Sequence, residues 1–233
     1  MSKTNLRRVP APQARQHEAP RTAFAPVAQS PLHPFGLAGK ARAQDDSCGV
    51  WMNEMPLLGY IVVRGDAADP AFNHAVKGVL GVELPRTPGR FIAFPHGLAL
   101  WQTPDEWLLL CAGPARAAYQ GELETALAGL HAQVVDNSGG LTTVYVSGES
   151  HVALLRHVSV YDIESIGPGQ VVSTVCSKAG MTLFRHDAHG LFVVFRRSFS
   201  DYVWRLLETA ARPYRLGISK LVFRASHPVL QLL

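Results

Sequence analysis

Apolar runs alternate with turn signals between residues 57 and 130, which predicts strands interleaved with helices. "LLGYIVV" predicts a strand, and "DPAFNHAVKGVL" predicts a helix with Pro70 in its first turn. "FIAF" and "LALWQ" predict further strands, and the turn "TPDE" joins the second of them to "WLLLC" as a hairpin. "GPARAAYQGELETALAGL" predicts a helix because one of its faces carries an apolar stripe: Tyr119, Leu123, Ala126, Leu127 and Leu130.

The same succession of elements returns after Asp136. "LTTVYV" predicts a strand, "GESHVALLRHV" a helix and "VVSTV" another strand. "MTLFRHDAHGLFVVF" predicts a hairpin whose turn is "HDAHG". "SFSDYVWRLLETAARP" predicts a closing helix, with Ser198 as its N-cap and Pro213 at its end.

The two halves match at a nearly constant offset, which indicates an internal repeat. Arg64-Gly65-Asp66 aligns with Ser147-Gly148-Glu149 at 83 residues, and "LETA" occurs in both closing helices 84 residues apart. Chance similarity of short helices is the alternative, but the hairpins before the helices agree as well. We therefore predict an α+β fold of two ferredoxin-like, split βαβ modules in tandem, over residues 57–130 and 134–212.

Composition changes at the two ends of this pattern. Residues 1–48 are rich in Pro, Ala, Gln and Arg and predict a disordered or extended arm. Residues 49–216 predict the α+β domain, and residues 217–233 a C-terminal tail.

Of the 22 basic and 18 acidic residues, residues 1–44 hold seven basic and one acidic, so the remainder has 15 basic against 17 acidic. The domain thus lacks the basic surface of a nucleic-acid binder.

Composition also limits the class of protein. With 47% hydrophobic and 17% charged residues, the chain can bury a substantial core. Its longest apolar runs are far shorter than the roughly 20 residues that cross a bilayer, so no membrane helix is expected. No apolar region precedes a cleavage site, so secretion is not expected either. Cys48, Cys111 and Cys176 form no paired spacing, which argues against a disulfide framework or zinc site and favours the cytoplasm.

Three short motifs suggest chemistry, and each has a simpler interpretation. Gly139-Gly140 precedes a strand instead of a helix, so a turn is favoured over a phosphate site. Gly148-Glu149-Ser150-His151 lacks the second glycine of a nucleophile elbow, so a helix start is favoured. His186, Asp187 and His189 offer metal-ligand atoms, but ligands crowded on one hairpin turn lack the usual separation, and we expect an exposed turn.

The start of the closing helix is the main candidate for an interaction surface. Two adjacent cations, Arg196 and Arg197, could clamp a partner's carboxylate; one Arg in solvent and one capping a carbonyl is the alternative. Tyr202 and Trp204 are two positions apart and cannot both face one core, so one of them is expected to be displayed. The predicted partner interface is Arg196, Arg197, Ser198, Phe199, Tyr202 and Trp204.

Two segments of the chain resemble known families. Residues 134–184, "VVDNSGGLTTVYVSGESHVALLRHVSVYDIESIGPGQVVSTVCSKAGMTLF", resemble an aminomethyltransferase segment in which an Asp-x-Ser turn leads to a strand, a helix and a Pro-Gly. Residues 191–211, "LFVVFRRSFSDYVWRLLETAA", resemble the closing helix of the gamma subunit of heterotetrameric sarcosine oxidase. The resemblance covers residues 57–216 and implies the aminomethyltransferase folate-binding fold.

The resemblance includes one departure. Folate-using transferases carry an acidic pair near the reacting carbon, whereas this chain has Leu183, Phe184 and Arg185 at the corresponding place. Because these side chains cannot accept a proton there, direct folate-dependent transfer by this chain is not expected. The resemblance implies a non-catalytic subunit without cofactor or metal of its own, while FAD, FMN, NAD and tetrahydrofolate belong to the other subunits, with alpha, beta and delta subunits as partners.

Three functions therefore remain open from the sequence. The first is a gamma-type subunit of an oxidase that converts sarcosine to glycine, or of a related N-methyl amine oxidase. The second is a free-standing tetrahydrofolate-binding protein of the aminomethyltransferase type. The third is a nucleic-acid adaptor that works through its basic arm, for which binding should depend on salt.

Overall fold

Two β-sheets lie face to face in the computed structural model, which describes residues 27–233, and helices cover the outer face of each sheet. The first sheet has the strand order β3-β4-β5-β2-β6, and the second has β11-β1-β7-β10-β9-β8. All neighbouring strands are antiparallel except β1 and β11. The strands are β1 Val50–Met55, β2 Gly59–Arg64, β3 Phe91–Phe94, β4 Gly97–Thr103, β5 Glu106–Cys111, β6 Gln133–Asp136, β7 Leu141–Ser147, β8 Gln170–Cys176, β9 Ala179–Arg185, β10 Gly190–Arg196 and β11 Leu216–Ile218.

The helices form the two outer layers. Helices α2 and α3 pack on the first sheet, and α4 and α5 pack on the second. The sequence sets the limits of α2 clearly: the Asp69 carboxylate accepts a hydrogen bond from the Ala71 N–H, and Gly81 ends the helix with a φ of 74°. The helices are α1 Leu37–Lys40, α2 Pro70–Leu80, α3 Arg116–Ala126, α4 His151–Val158 and α5 Ser200–Ala211.

In the central strands of each sheet both faces are apolar and covered. In β2, Tyr60 and Val62 face the space between the sheets, whereas Ile61 and Val63 face α2 and α3. This explains why the strand reads as a continuous apolar run instead of an alternating one. Each fully buried side chain of this size contributes about 1.5–3 kcal/mol through its removal from water.

The predicted repeat is confirmed. The first module runs β2, α2, β3, β4, β5, α3, and the second runs β7, α4, β8, β9, β10, α5. Each module contributes four neighbouring strands in the same order to its own sheet. The α+β class and the tandem arrangement are therefore as expected.

The strand that leads into each module belongs to the other module's sheet. Strand β1 precedes the first module but pairs with β7, and β6 precedes the second module but pairs with β2. Neither exchange was predicted from the sequence. It joins the two modules through backbone hydrogen bonds as well as through the apolar layer between the sheets.

The segments outside the modules correct two expectations. Within the predicted arm, Leu32 and Leu37 are buried in the core, and Arg42 forms a bridge to Ser219, so residues 32–42 are anchored to the domain; residues 1–26 lie outside the described part. The C-terminal tail is also part of the core. Val229, Leu230 and Leu232 are buried between the two sheets.

A search of residues 27–233 for a helix that could span a membrane, by length and apolar character, finds none.

Candidate functional site

The predicted interface residues lie where β10 leads into α5. Arg196 ends the strand, a single 3-10 turn follows over Arg197–Phe199, and α5 begins at Ser200. Arg196, Arg197, Ser198, Phe199 and Tyr202 are all exposed, and we call these five residues the arginine–aromatic patch. Phe199 and Tyr202 retain 39% and 38% of their accessible surface, which is high for aromatic side chains in a folded chain.

The backbone beneath this patch is held firmly. Arg196 pairs with Leu141 at the start of β7, and the Arg197 N–H donates to the Gly140 carbonyl at 2.8 Å. Gly139-Gly140 lies in a turn, as expected, in which the Gly140 N–H donates to the Asn137 carbonyl at 2.9 Å. Within residues 27–233 neither arginine forms an ion pair. Both guanidinium groups are therefore available to a carboxylate.

Two details of the predicted interface are wrong. Ser198 is not the N-cap of the closing helix, because the 3-10 turn moves the helix start to Ser200 and Phe199 precedes it. Trp204 has no exposed surface, so it cannot contact a partner. Phe35, from the segment before β1, covers Trp204 with ring centroids 5.9 Å apart. The expectation that one of the two aromatic residues is displayed is met by Tyr202.

The Gly148-Glu149-Ser150-His151 motif starts α4, as expected. The His151 Nδ1 lies 2.6 Å from the Gly148 carbonyl oxygen, and because a carbonyl only accepts, Nδ1 carries the hydrogen. Nε2 then accepts a bond from the Arg185 guanidinium at 3.4 Å. Burial lowers the pKa of His151, which keeps the ring neutral.

The hairpin turn with His186 and Asp187 differs from the expected exposed turn. The tail brings His227 to it, so that one ligand atom from each of the three residues lies within 4.8 Å of the others, whereas His189 is not part of the group. The sequence offered no signal for this contact, since 40 residues separate Asp187 from His227.

The hydrogen bonds of His227 do not suit a metal ion. Its Nδ1 accepts from the Val229 and Leu230 N–H groups, both at 3.1 Å, so Nε2 carries the hydrogen and faces the Asp187 carboxylate at 3.5 Å. A metal needs the Nε2 lone pair, and a ligating histidine normally donates from its other nitrogen. The arrangement instead attaches the tail to the β9–β10 turn.

The place of the missing carboxylates is filled by apolar side chains. Leu183 and Phe184 have no exposed surface, and Phe184 stacks on Phe192 with centroids 4.9 Å apart. The buried tail residues Val229 and Leu230 pack into the same cluster. Within the part of the chain that the structure describes, Leu183 and Phe184 offer no proton acceptor at this place.

Comparisons with known proteins agree with this fold. The family described as "Sarcosine oxidase, gamma subunit family" matches residues 64–212. Sarcosine oxidase subunit gamma of Arthrobacter sp. is 28% identical over 167 residues, covering 70% of this chain and 81% of the relative. Its counterpart in Corynebacterium sp. (strain P-1) is 26% identical with the same coverage.

Two solved structures share the fold. A chain of the heterotetrameric sarcosine oxidase from Corynebacterium sp. U-96 superposes with a TM-score of 0.73 at 22% identity, covering 80% of this chain and 96% of that one. Aminomethyltransferase T of the glycine cleavage system from Bartonella henselae gives 0.61 at 12% identity, covering 81% of this chain and 58% of that one. Since the family match spans most of both modules, this chain belongs to the sarcosine oxidase gamma subunit family.

Proposed function

We propose that this chain is the non-catalytic gamma subunit of a heterotetrameric sarcosine oxidase, an oxidoreductase that converts sarcosine to glycine. The family match over residues 64–212 carries the proposal. The partners are the alpha, beta and delta subunits, which hold FAD, FMN, NAD and tetrahydrofolate. The assembly works in the cytoplasm, which agrees with the three free thiols Cys48, Cys111 and Cys176.

The side chains at the place of the missing carboxylates support a non-catalytic role for this chain. Leu183 and Phe184 stand where folate-using transferases have carboxylates. Phe184 lies between the sheets with the tail residues Val229 and Leu230, and Leu183 faces the helices of the second module. Arg185 points its guanidinium at His151 and carries a positive charge, so it cannot act as a general base.

The arginine–aromatic patch is the proposed contact with a partner subunit. Its aromatic rings resemble the anchors that dominate binding energy in protein interfaces, and Arg196 and Arg197 suit acidic groups on the partner. The exposed, unpaired state of both arginines within the described chain supports this assignment.

Purification from the native cells tests the subunit role. The tagged full-length chain is expected to bring down larger subunits, with flavin absorbance and sarcosine-dependent peroxide formation in the eluate. A colourless chain recovered alone under conditions that preserve the oxidase would contradict the proposal.

Charge reversal tests the proposed contact. The double variant Arg196→Glu/Arg197→Glu should weaken binding to the other subunits at least tenfold, about 1.4 kcal/mol, and leave the unfolding midpoint of the chain unchanged. Lys178→Glu, on the exposed turn between β8 and β9, is the matched control and should bind normally. Normal binding by the double variant would show that the interface with the other subunits lies elsewhere on the chain.

A second function, tetrahydrofolate binding by the isolated chain, is favoured only by the fold shared with aminomethyltransferase T. Calorimetric titration of the purified chain with tetrahydrofolate distinguishes the two. The subunit proposal expects no heat of binding, and saturable heat would support the second function.

A further inference from the structure

A cleft lies between the second module and the C-terminal segment, at the edge of the space between the sheets. The end of β7 and the start of α4 form one wall, and residues 220–230 form the other. Its volume is about 860 Å³, which is enough for a small molecule. We call it the tail cleft.

A buried phenol forms part of the floor of the tail cleft. Tyr145 is 7% exposed, its ring stacks on Phe192 at 4.5 Å, and its hydroxyl has no hydrogen-bond partner in the part of the chain that the structure covers. Burial, together with the negative charge of Asp187, raises the pKa of Tyr145 to about 12. The hydroxyl therefore stays protonated at neutral pH and offers a hydrogen to a ligand.

The other wall residues give the cleft a small positive charge. Lys220 and Arg224 are exposed and, among residues 27–233, have no ion-pair partner, and neither has Glu149 at the rim. With the histidines counted as neutral, these three side chains leave one positive charge. The N-terminus of α4 adds partial positive charge. The Asp187 carboxylate lies near Tyr145 but outside the lining of the cleft; it accepts from the His189 N–H at 2.9 Å and faces the neutral His227, so its negative charge remains.

Apolar groups complete the lining. Leu221 and Val222 lie on the tail side, and Leu230 closes one end. The combination of a hydroxyl donor, two free cations and one acid suits a ligand with a single negative charge and an apolar body. A phosphate dianion would meet the repulsion of Glu149 without enough cations to offset it.

From this arrangement we propose that the tail cleft binds a small monocarboxylate, whose carboxylate contacts Tyr145, Arg224 and Lys220 and whose apolar body lies against Leu221 and Leu230. The ligand is a free small molecule, because the phenol that recognises it lies deep in a cleft built from this chain alone.

Calorimetric titration of the full-length chain with benzoate at low salt tests the proposal, with benzamide as the uncharged probe of the same shape. Benzoate should bind saturably and benzamide at least tenfold more weakly. Tyr145→Phe, which keeps the stacked ring, and Lys220→Met or Arg224→Gln should each weaken benzoate binding about tenfold. Lys178→Met, at the opposite end of the second sheet, should have no effect.

Three results would overturn the proposal: no saturation with benzoate, equal binding of benzamide, or equal affinity in all variants. The titration of the isolated chain does not depend on the subunit role, so the two proposals fail separately.

Discussion

The two modules have the same elements in the same order but differ where the last strand leads into the closing helix. In the second module this position carries Arg196, Arg197, Ser198 and Phe199, all exposed, whereas the first has Ala112, Gly113, Pro114 and Ala115. A Cβ on Gly113 would clash with the Leu57 carbonyl oxygen, so the first module needs a glycine there. The fold forms the turn with small residues, and the large ones in the second module therefore call for a functional explanation.

The opposite ends of the modules differ in charge. Arg64 ends β2 and forms ion pairs with Asp105 at 3.0 Å and Glu106 at 3.3 Å. Ser147 occupies the matching position in β7, and the cations beside it, Lys220 and Arg224, remain unpaired within the described residues. The first module pairs its cation with acids at this end, and the second leaves its cations unpaired. Of the two modules, only the second therefore carries the proposed interaction sites.

The largest expected effect concerns the closing helices. Trp204 is fully buried against Phe35, whereas its counterpart in α3 is the partly exposed Gln120. Trp204→Ala should lower the free energy of unfolding by about 3–5 kcal/mol, because it leaves a cavity in the outer layer. Gln120→Ala should change it by less than about 0.5 kcal/mol. Denaturant unfolding of both variants measures the contrast, and equal effects would show that Trp204 is not a core residue.

The tail gives the next largest effect. Leu232 is 4% exposed between the sheets, and the adjacent Leu233 is 41% exposed. Leu232→Ala should cost about 2–4 kcal/mol of folding stability, and Leu233→Ala should remain within about 0.5 kcal/mol of the original chain. The pair differs only in burial, so similar unfolding midpoints would mean that the tail is not packed in solution.

Trp204 and the tail also mark the limit of what the sequence could reveal. Periodicity and turn chemistry identified the hairpins and the closing helices because those signals lie within a few residues of one another. The exchange of β1 and β6, the Phe35 cover over Trp204 and the tail contact between His227 and Asp187 join positions far apart in the chain. Helical spacing alone does not say which of two neighbouring aromatic residues a distant segment covers, so Trp204 was wrongly included in the interface.

The two candidate sites also differ in whether the sequence could predict them. Four residues of the arginine–aromatic patch, at positions 196–199, are consecutive in the chain, so the sequence pattern alone was enough to predict them as a cluster. The tail cleft takes its groups from β7, α4 and residues 220–230, and no local motif joins Tyr145 to Arg224. Only folding brings these groups together.

An exchange of one module's turn for the other's tests the first contrast directly. Replacing Arg196–Phe199 with Ala-Gly-Pro-Ala, the residues of the first module, should leave the unfolding midpoint of the chain within error. Binding to the other subunits should weaken about 10- to 100-fold, because an aromatic anchor and two cations are lost. Co-purification with Lys178→Ala as control provides the measurement, and full assembly of the exchanged chain would remove the functional explanation.

A smaller effect should appear in the pH dependence of stability. Burial, with the nearby His186, lowers the pKa of His227 below its usual 6.5. As the pH falls through that value, the unfolded chain takes up a proton before the folded chain does, so stability falls until the pH lies below the folded pKa. His227→Asn keeps an acceptor for the Val229 and Leu230 N–H groups and should flatten this fall in denaturant titrations. An unchanged fall in the variant would mean that His227 is not the residue whose proton uptake lowers the stability.

The smallest expected effect concerns the ion pairs at the end of the first module. The Arg64 and Asp105 side chains are 49% and 56% exposed, so water and salt screen their attraction. Arg64→Gln should reduce the free energy of unfolding by no more than about 1 kcal/mol, and the difference should shrink as salt is added. A larger, salt-independent loss would mean that Arg64 holds the first module together and that the two ends differ in structural role as well as in charge. A small loss would mean that the two ends differ only in the pairing of their charges. The unpaired cations of the tail cleft would then be a feature that folding does not require.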